Sequence, residues 1–159
     1  MRVEVKVYEM NLGWSTVEVV LVNLAESVDA AMVAELSKTV NEILVGLPEG
    51  TGGPCSLALA YLYTMEDLEV GSRIKSRPIL FLANLLGLSQ VRDVVETVRE
   101  CKTLALIGAP GGPRGAIVEV LNRLGIKDYD IRYEEAECTV EELERITLSR
   151  VHKLYRISF

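Results

Sequence analysis

Histidine, glutamine and tryptophan each occur once in this chain and phenylalanine only twice. The single His152 and three widely separated cysteines, Cys55, Cys101 and Cys138, make no CxxC pair and no Cys/His cluster. That spacing argues against a zinc site. Cations are the minority charge: 17 Lys and Arg stand against 23 Asp and Glu, for a net charge of −6. Nucleic-acid binding through bulk charge is thereby disfavoured, because phosphate neutralisation needs a surplus of Lys and Arg, although a local basic patch is still allowed. Long hydrophobic runs are also missing. The longest, residues 78–88, is about half of what a bilayer crossing needs. The opening Met-Arg-Val-Glu-Val-Lys alternates charge with valine, unlike a signal peptide. The expected compartment is the cytoplasm, with reduced thiols; the scarcity of glutamine leans towards a thermophile, whose cytoplasm tolerates disulfides.

What is present is ordinary globular material: 159 residues, 49% apolar and 25% charged. This length suits one domain that buries roughly 70% of its unfolded surface without a metal or disulfide staple. Val3, Val5 and Val7 alternate with Arg2, Glu4 and Lys6, predicting a half-buried strand, and the β-branched run 17–24 predicts a second, more buried one. Ser27 is expected to cap a helix over residues 28–47, with Val28, Met32, Leu36, Val40, Ile43 and Leu47 on one stripe. The Gly/Pro-rich stretch that follows breaks the chain, and residues 48–72 read as an insertion-like segment. Within it, Leu57, Leu59, Tyr61 and Tyr63 alternate with small residues, which favours a strand.

Pro78 opens a helix apolar almost all round, the expected centre of the domain, ended by Gly87. Ser89 is expected to cap the next helix, carrying Val91, Val94, Val95 and Val98. A buried strand at 103–108, a helix at 114–124 ended by Gly125, and a strand bearing Tyr129, Ile131 and Tyr133 follow. Thr139 and Glu142 form a capping box that opens a last helix reaching about Tyr155. The order β-β-α-(β)-α-α-β-α-β-α predicts a single α/β or α+β domain, a small mixed sheet packed against several helices.

Three stretches carry candidate chemistry. The loop 108–115, between a buried strand and a helix, presents Gly111, Gly112, Arg114 and Gly115, whose N–H groups and guanidinium suit a phosphate. It lacks the Lys-Ser/Thr pair of a Walker A loop and the spacing of a dinucleotide fingerprint, so a tight structural turn is the competing reading. Arg73, Lys75 and Arg77 form a basic cluster in a stretch, 70–91, that holds no acidic residue, and Arg92 follows close by. Such a patch suits phosphates; a solubilising lead into a buried helix is the alternative. The glutamates at 134, 135, 137, 141, 142 and 144 read as a solvated face, and His152 as a helix-end histidine favoured by the dipole.

The helix ending Thr-Val-Asn-Glu-Ile-Leu, the segment Leu-Leu-Gly-Leu-Ser-Gln-Val and the ending Glu-Glu-Leu-Glu-Arg-Ile-Thr-Leu-Ser-Arg-Val occur in an order and spacing that resemble one family. It is the small kinase-binding accessory subunit of the KEOPS complex, which makes threonylcarbamoyladenosine in tRNA. About two thirds of the chain is covered. The resemblance implies a non-catalytic protein without a cofactor, docked on the small atypical kinase of that complex and stimulating it. In archaeal members the subunit also helps hold the tRNA 3′ end. By position, Gln90, Asn41 and Arg150 match family residues, whereas Glu35 stands where the family often has histidine and Ser89 where it has arginine. Candidate nucleic-acid contacts are then Arg73, Lys75, Arg77, Gln90 and Arg92, and candidate partner contacts the C-terminal Leu154, Tyr155, Ile157 and Phe159. The other two readings are a small nucleotide- or phosphometabolite-binding protein using the 108–115 loop, and a homo-oligomeric module.

Overall fold

The alternating valines of the N-terminus form β1 (Val3–Asn11), which pairs antiparallel with β2 (Thr16–Asp29) through a turn where Gly13 adopts φ 93°. The Asn11 side-chain oxygen accepts from the Gly13 N–H at 2.9 Å, closing that turn locally. This computed structural model describes residues 3–13, 15–51 and 53–155, with side chains described as far as residue 148. The remaining elements are α1 (Ala30–Ser37), β3 (Ile43–Leu47), α2 (Pro54–Val70), α3 (Arg77–Leu86), α4 (Val91–Thr97), β4 (Glu100–Gly108), α5 (Gly112–Arg123), β5 (Tyr129–Glu134) and α6 (Val140–Tyr155).

The strands lie in the order β3-β4-β2-β1-β5, antiparallel except for the parallel pair β1/β5. The protein is a single α+β domain, a five-stranded mixed sheet with six helices packed against it. Each sheet face has its own core. Val17, Val19, Ile43 and Val45 pack with Leu57, Phe81, Leu85, Val94 and Ile146 from α2, α3, α4 and α6. Val20, Val22, Leu44 and Leu106 pack with Leu36, Ile117 and Leu121 from α1 and α5. Neighbouring residues such as Val19 and Val20 enter opposite cores, so the central strands read as continuous β-branched runs.

Two expected elements take another form. The helix predicted over 28–47 is three elements: β2 runs on to Asp29, α1 is only eight residues long, and residues 43–47 are a strand. Asp29, not Ser27, caps α1, accepting from the Met32 N–H at 2.8 Å. All five residues of β3 are buried, so its apolar run reflects cores on both faces rather than a helical stripe. The strand favoured at 56–63 is instead part of α2, which Gly53 precedes and Pro54 opens. Six consecutive residues from Cys55 to Ala60 are buried, and a helix covered on all sides leaves no 3.6-residue signature. Far from being peripheral, the 48–72 stretch supplies a central core helix.

α3 begins where the Ser76 hydroxyl accepts from the Ile79 N–H and ends at Gly87 (φ 71°), with the Leu88 N–H donating to the Ala83 carbonyl at 2.9 Å. α4 then leaves at 79° to α3, with Gln90 rather than Ser89 in the capping position. Asn84, wholly buried in α3, donates to Thr64 Oγ1 and Asp67 Oδ2 of α2, each at 3.1 Å. The expected reduced thiols hold only for Cys101. Cys55, at the start of α2, is disulfide-bonded to Cys138, just before α6, across a sequence separation of 83.

Candidate functional site

The basic stretch before α3 behaves as a short extended lead. Ile74 is buried and its N–H donates to Ser72 Oγ at 3.1 Å, while Arg73, Lys75 and Arg77 on either side are exposed. None of these three forms an ion pair with another described residue. Tyr61 of α2, half-buried, lies within electrostatic reach of Arg77. Burial pushes the Tyr61 phenol up from its ordinary 10.0, Arg77 draws it back and Glu42 adds to the rise. One cation, Arg77, and one anion, Glu42, thus act on the same half-buried ring. The sequence reading assigned Tyr61 to a strand, whereas it lies in α2.

Gln90 and Arg92 are exposed beyond the other end of α3. The Gln90 carbonyl accepts from the Val94 N–H at 3.3 Å, while its side chain makes no capping bond. The predicted contacts are thus split into two groups, one at each end of a ten-residue helix about 15 Å long. Asn41 lies exposed in the bend between α1 and β3. The side chains of Arg150, His152, Leu154 and Tyr155, and all of Ile157 and Phe159, lie outside the described residues.

The Gly111–Arg114 turn does sit between β4 and α5, where the sequence placed a phosphate loop, but a carboxylate of the protein itself fills it. Glu18 of β2 is fully buried and accepts from the Gly111 N–H at 3.2 Å and the Arg114 N–H at 2.8 Å. The Arg114 side chain closes on Glu18 Oε1 through Nε and Nη2, both at 2.7 Å. Hydrogen bonding and charge from Glu18 raise the Arg114 guanidinium above its ordinary value, and its other side lies over the Tyr133 ring at 5.5 Å from the centroid. The Gly112 N–H donates to the Ala109 carbonyl and the Gly115 N–H to the Gly111 carbonyl. All four N–H groups of the proposed phosphate cradle are engaged, so Gly111, Gly112, Arg114 and Gly115 offer an incoming phosphate no free backbone donor. The internal anion explains the turn as structure.

The Thr139–Glu142 capping box forms as expected, the Glu142 N–H donating to Thr139 Oγ1 at 3.1 Å. It also joins two helices: Ser56 of α2 donates to Glu142 Oε2 at 3.3 Å and accepts from Arg145 Nη2 at 2.8 Å, next to the disulfide.

The fold is a small α+β domain in which four basic residues, Arg73, Lys75, Arg77 and Arg92, lie at or beyond the two ends of one buried helix. Neither a family model nor a curated protein matches this sequence.

Proposed function

We propose that this chain is a non-catalytic accessory subunit of the kind the KEOPS complex uses, binding and stimulating a small atypical kinase and holding the 3′ end of tRNA for threonylcarbamoyladenosine formation. One observation supports it most. One of the three segments that together resemble that family, Leu-Leu-Gly-Leu-Ser-Gln-Val, turns from α3 into α4 and leaves Ser89, Gln90 and Arg92 exposed, while Arg73, Lys75 and Arg77, which form no ion pair with a described residue, flank the head of the same helix. Cations therefore stand at both ends of α3, with Tyr61 near Arg77. The overall negative charge of the protein limits non-specific binding elsewhere on its surface.

Fluorescence anisotropy with tRNA tests the nucleic-acid half of this reading. Intact tRNA should bind more tightly than tRNA lacking its 3′ single-stranded nucleotides. Substituting Arg73, Lys75 and Arg77 together by Ala should weaken binding and reduce the slope of log K against log salt by about 0.7 for each phosphate that is no longer neutralised. Equal affinity for trimmed and intact tRNA would overturn it. Size-exclusion chromatography with the KEOPS kinase of the same organism tests the other half: co-elution is expected, and two separate peaks would reject kinase binding.

A further inference from the structure

The sheet ends at β3 on one side and at β5 on the other, and only β5 is open to solvent. β1 is the one strand beside it. The Val3 N–H donates to the Asp128 carbonyl at 3.1 Å, which sets the phase of that parallel ladder. Alternate residues of a strand in such a ladder turn both main-chain groups to the same side. Asp130 and Arg132 therefore face β1, while Tyr129, Ile131 and Tyr133 direct N–H and C=O outward. Among the described residues, no backbone group pairs with that outer edge.

The side chains divide in the same rhythm. Tyr129, Ile131 and Tyr133 stand beside Val3, Val5 and Val7, on the sheet face that α5 covers. Tyr129 packs on that core, but Ile131 is 40% exposed, and Tyr133 is 68% exposed even with Arg114 over its ring. On the other face the ladder sets like charges side by side, Glu4 beside Asp130 and Lys6 beside Arg132. Glu4 pairs with Lys6 at 3.6 Å, whereas Arg132 forms no ion pair with another described residue.

We propose that β5 pairs antiparallel with β5 of a second copy of this chain, about a twofold axis through Ile131. Twofold pairing must join outward-facing residues to one another, so the axis passes through residue 130, 131 or 132. Through Asp130 it would set that acid against its own copy. Through Arg132 it would oppose two arginines and set Asp130 against Glu134. Through Ile131, each Asp130 meets the Arg132 of the other copy, and each Tyr129 meets the other Tyr133. Arg132 then gains the acid that its own sheet does not give it, and the exposed Ile131 and Tyr133 gain apolar neighbours. A carboxylate accepts from several donors, so Asp130 keeps its contacts within its own chain.

Charge ordinarily guards an exposed edge against pairing. Here the two signs are spaced so that the edge complements itself. Two five-stranded sheets become one of ten strands, and the buried β3 at each far end stops further growth, so the assembly closes as a dimer. This inference goes beyond the accessory-subunit reading and does not rest on it, since none of the residues used there lies on β5.

An interface built on one short strand pair is small and dissociates on dilution. Sedimentation equilibrium from about 1 μM to about 1 mM should therefore show the mass rising from 17.6 kDa towards twice that value. Arg132→Asp and Asp130→Arg should each weaken the dimer about tenfold or more, because each opposes like charges across the axis. Both substitutions also relieve a like-charge neighbour on β1, so melting should not fall. An equimolar mixture of the two variants should dimerise as well as the parent, since every charged cross-strand pair then joins opposite signs. In the parent, raising the concentration should slow hydrogen exchange at the Tyr129, Ile131 and Tyr133 amides and leave Asp130 and Arg132 unchanged; this readout decides even if a variant melts lower. A parent that stays monomeric over the whole range would overturn the proposal. So would a dimer that neither charge reversal weakens, a mixture that does not recover, or an exchange pattern indifferent to concentration.

Discussion

Glu18 and Arg114, separated by 96 residues, form a two-point contact at 2.7 Å in which the carboxylate is fully buried and the guanidinium half-exposed. The same carboxylate accepts from two N–H groups at the start of α5, so β2 supplies a side-chain acceptor to a helix N-terminus. Through Arg114 the contact reaches on to Tyr133 of edge strand β5. Glu18 thereby links β2 to the start of α5 and, through Arg114, to Tyr133 of β5.

Glu18→Gln should test this arrangement. The amide presents an N–H₂ group towards donors that need an acceptor, which leaves buried polar groups unsatisfied at a cost of about 1–3 kcal/mol. Urea denaturation should show the loss. A variant as stable as the parent would mean that the buried charge contributes nothing net.

Gly46 of β3 lies so close to Cys101 of β4 that a Cβ at Gly46 would overlap the Cys101 sulfur, although the ladder pairs Gly46 with Leu104. Gly46→Ala should therefore destabilise the fold by about 1–3 kcal/mol through overpacking. Adding Cys101→Ala should return part of that loss, and strictly additive effects in the double-mutant cycle would contradict the contact.

Alkaline pH should act on the same spot. Burial pushes the Cys101 thiol up from its ordinary 9.0, and Asp29 adds to the rise. The folded state keeps this proton where the unfolded chain has released it. Its contribution is thus complete below the unfolded value and is lost as pH rises through the folded one. Thermal melts above pH about 9 should fall with pH, and Cys101→Ala should fall less steeply. Tyr61, raised mainly by burial, contributes in the same direction at higher pH.

Reducing the Cys55–Cys138 bond should lower stability by up to about 4.5 kcal/mol, the chain-entropy value for a loop of this size. Urea midpoints with and without reductant measure the change. Cys55→Ser with Cys138→Ser should match the reduced parent, and a midpoint indifferent to reductant would show that the bond does not constrain the unfolded chain.

The sequence was most informative where one local rule acted alone. Pro78 and Gly87 bound α3, Thr139 and Glu142 open α6, and the Tyr129–Tyr133 alternation is β5, all within a few residues of expectation. It was misleading where burial on all sides removed periodicity: α2 showed an accidental alternation of Leu57, Leu59, Tyr61 and Tyr63, and β3 completed an accidental helical stripe with α1. Glu18 carried one signal, a charge inside a β-branched run. Its meaning depended on an arginine 96 residues away, a pairing that no local pattern contains. The basic residues around α3 were visible as types, whereas their division between the two ends of the helix emerged only once its length was set.

The bridge between Cys55 and Cys138 also makes most of this chain a closed covalent ring, with α2, α3, α4, β4, α5 and β5 strung around it. The exposed lead at Arg73 and Lys75 lies on that ring and suits trypsin. A single cut there opens the ring without releasing a fragment. The molecule then consists of two polypeptides that migrate as one body until a reductant parts them.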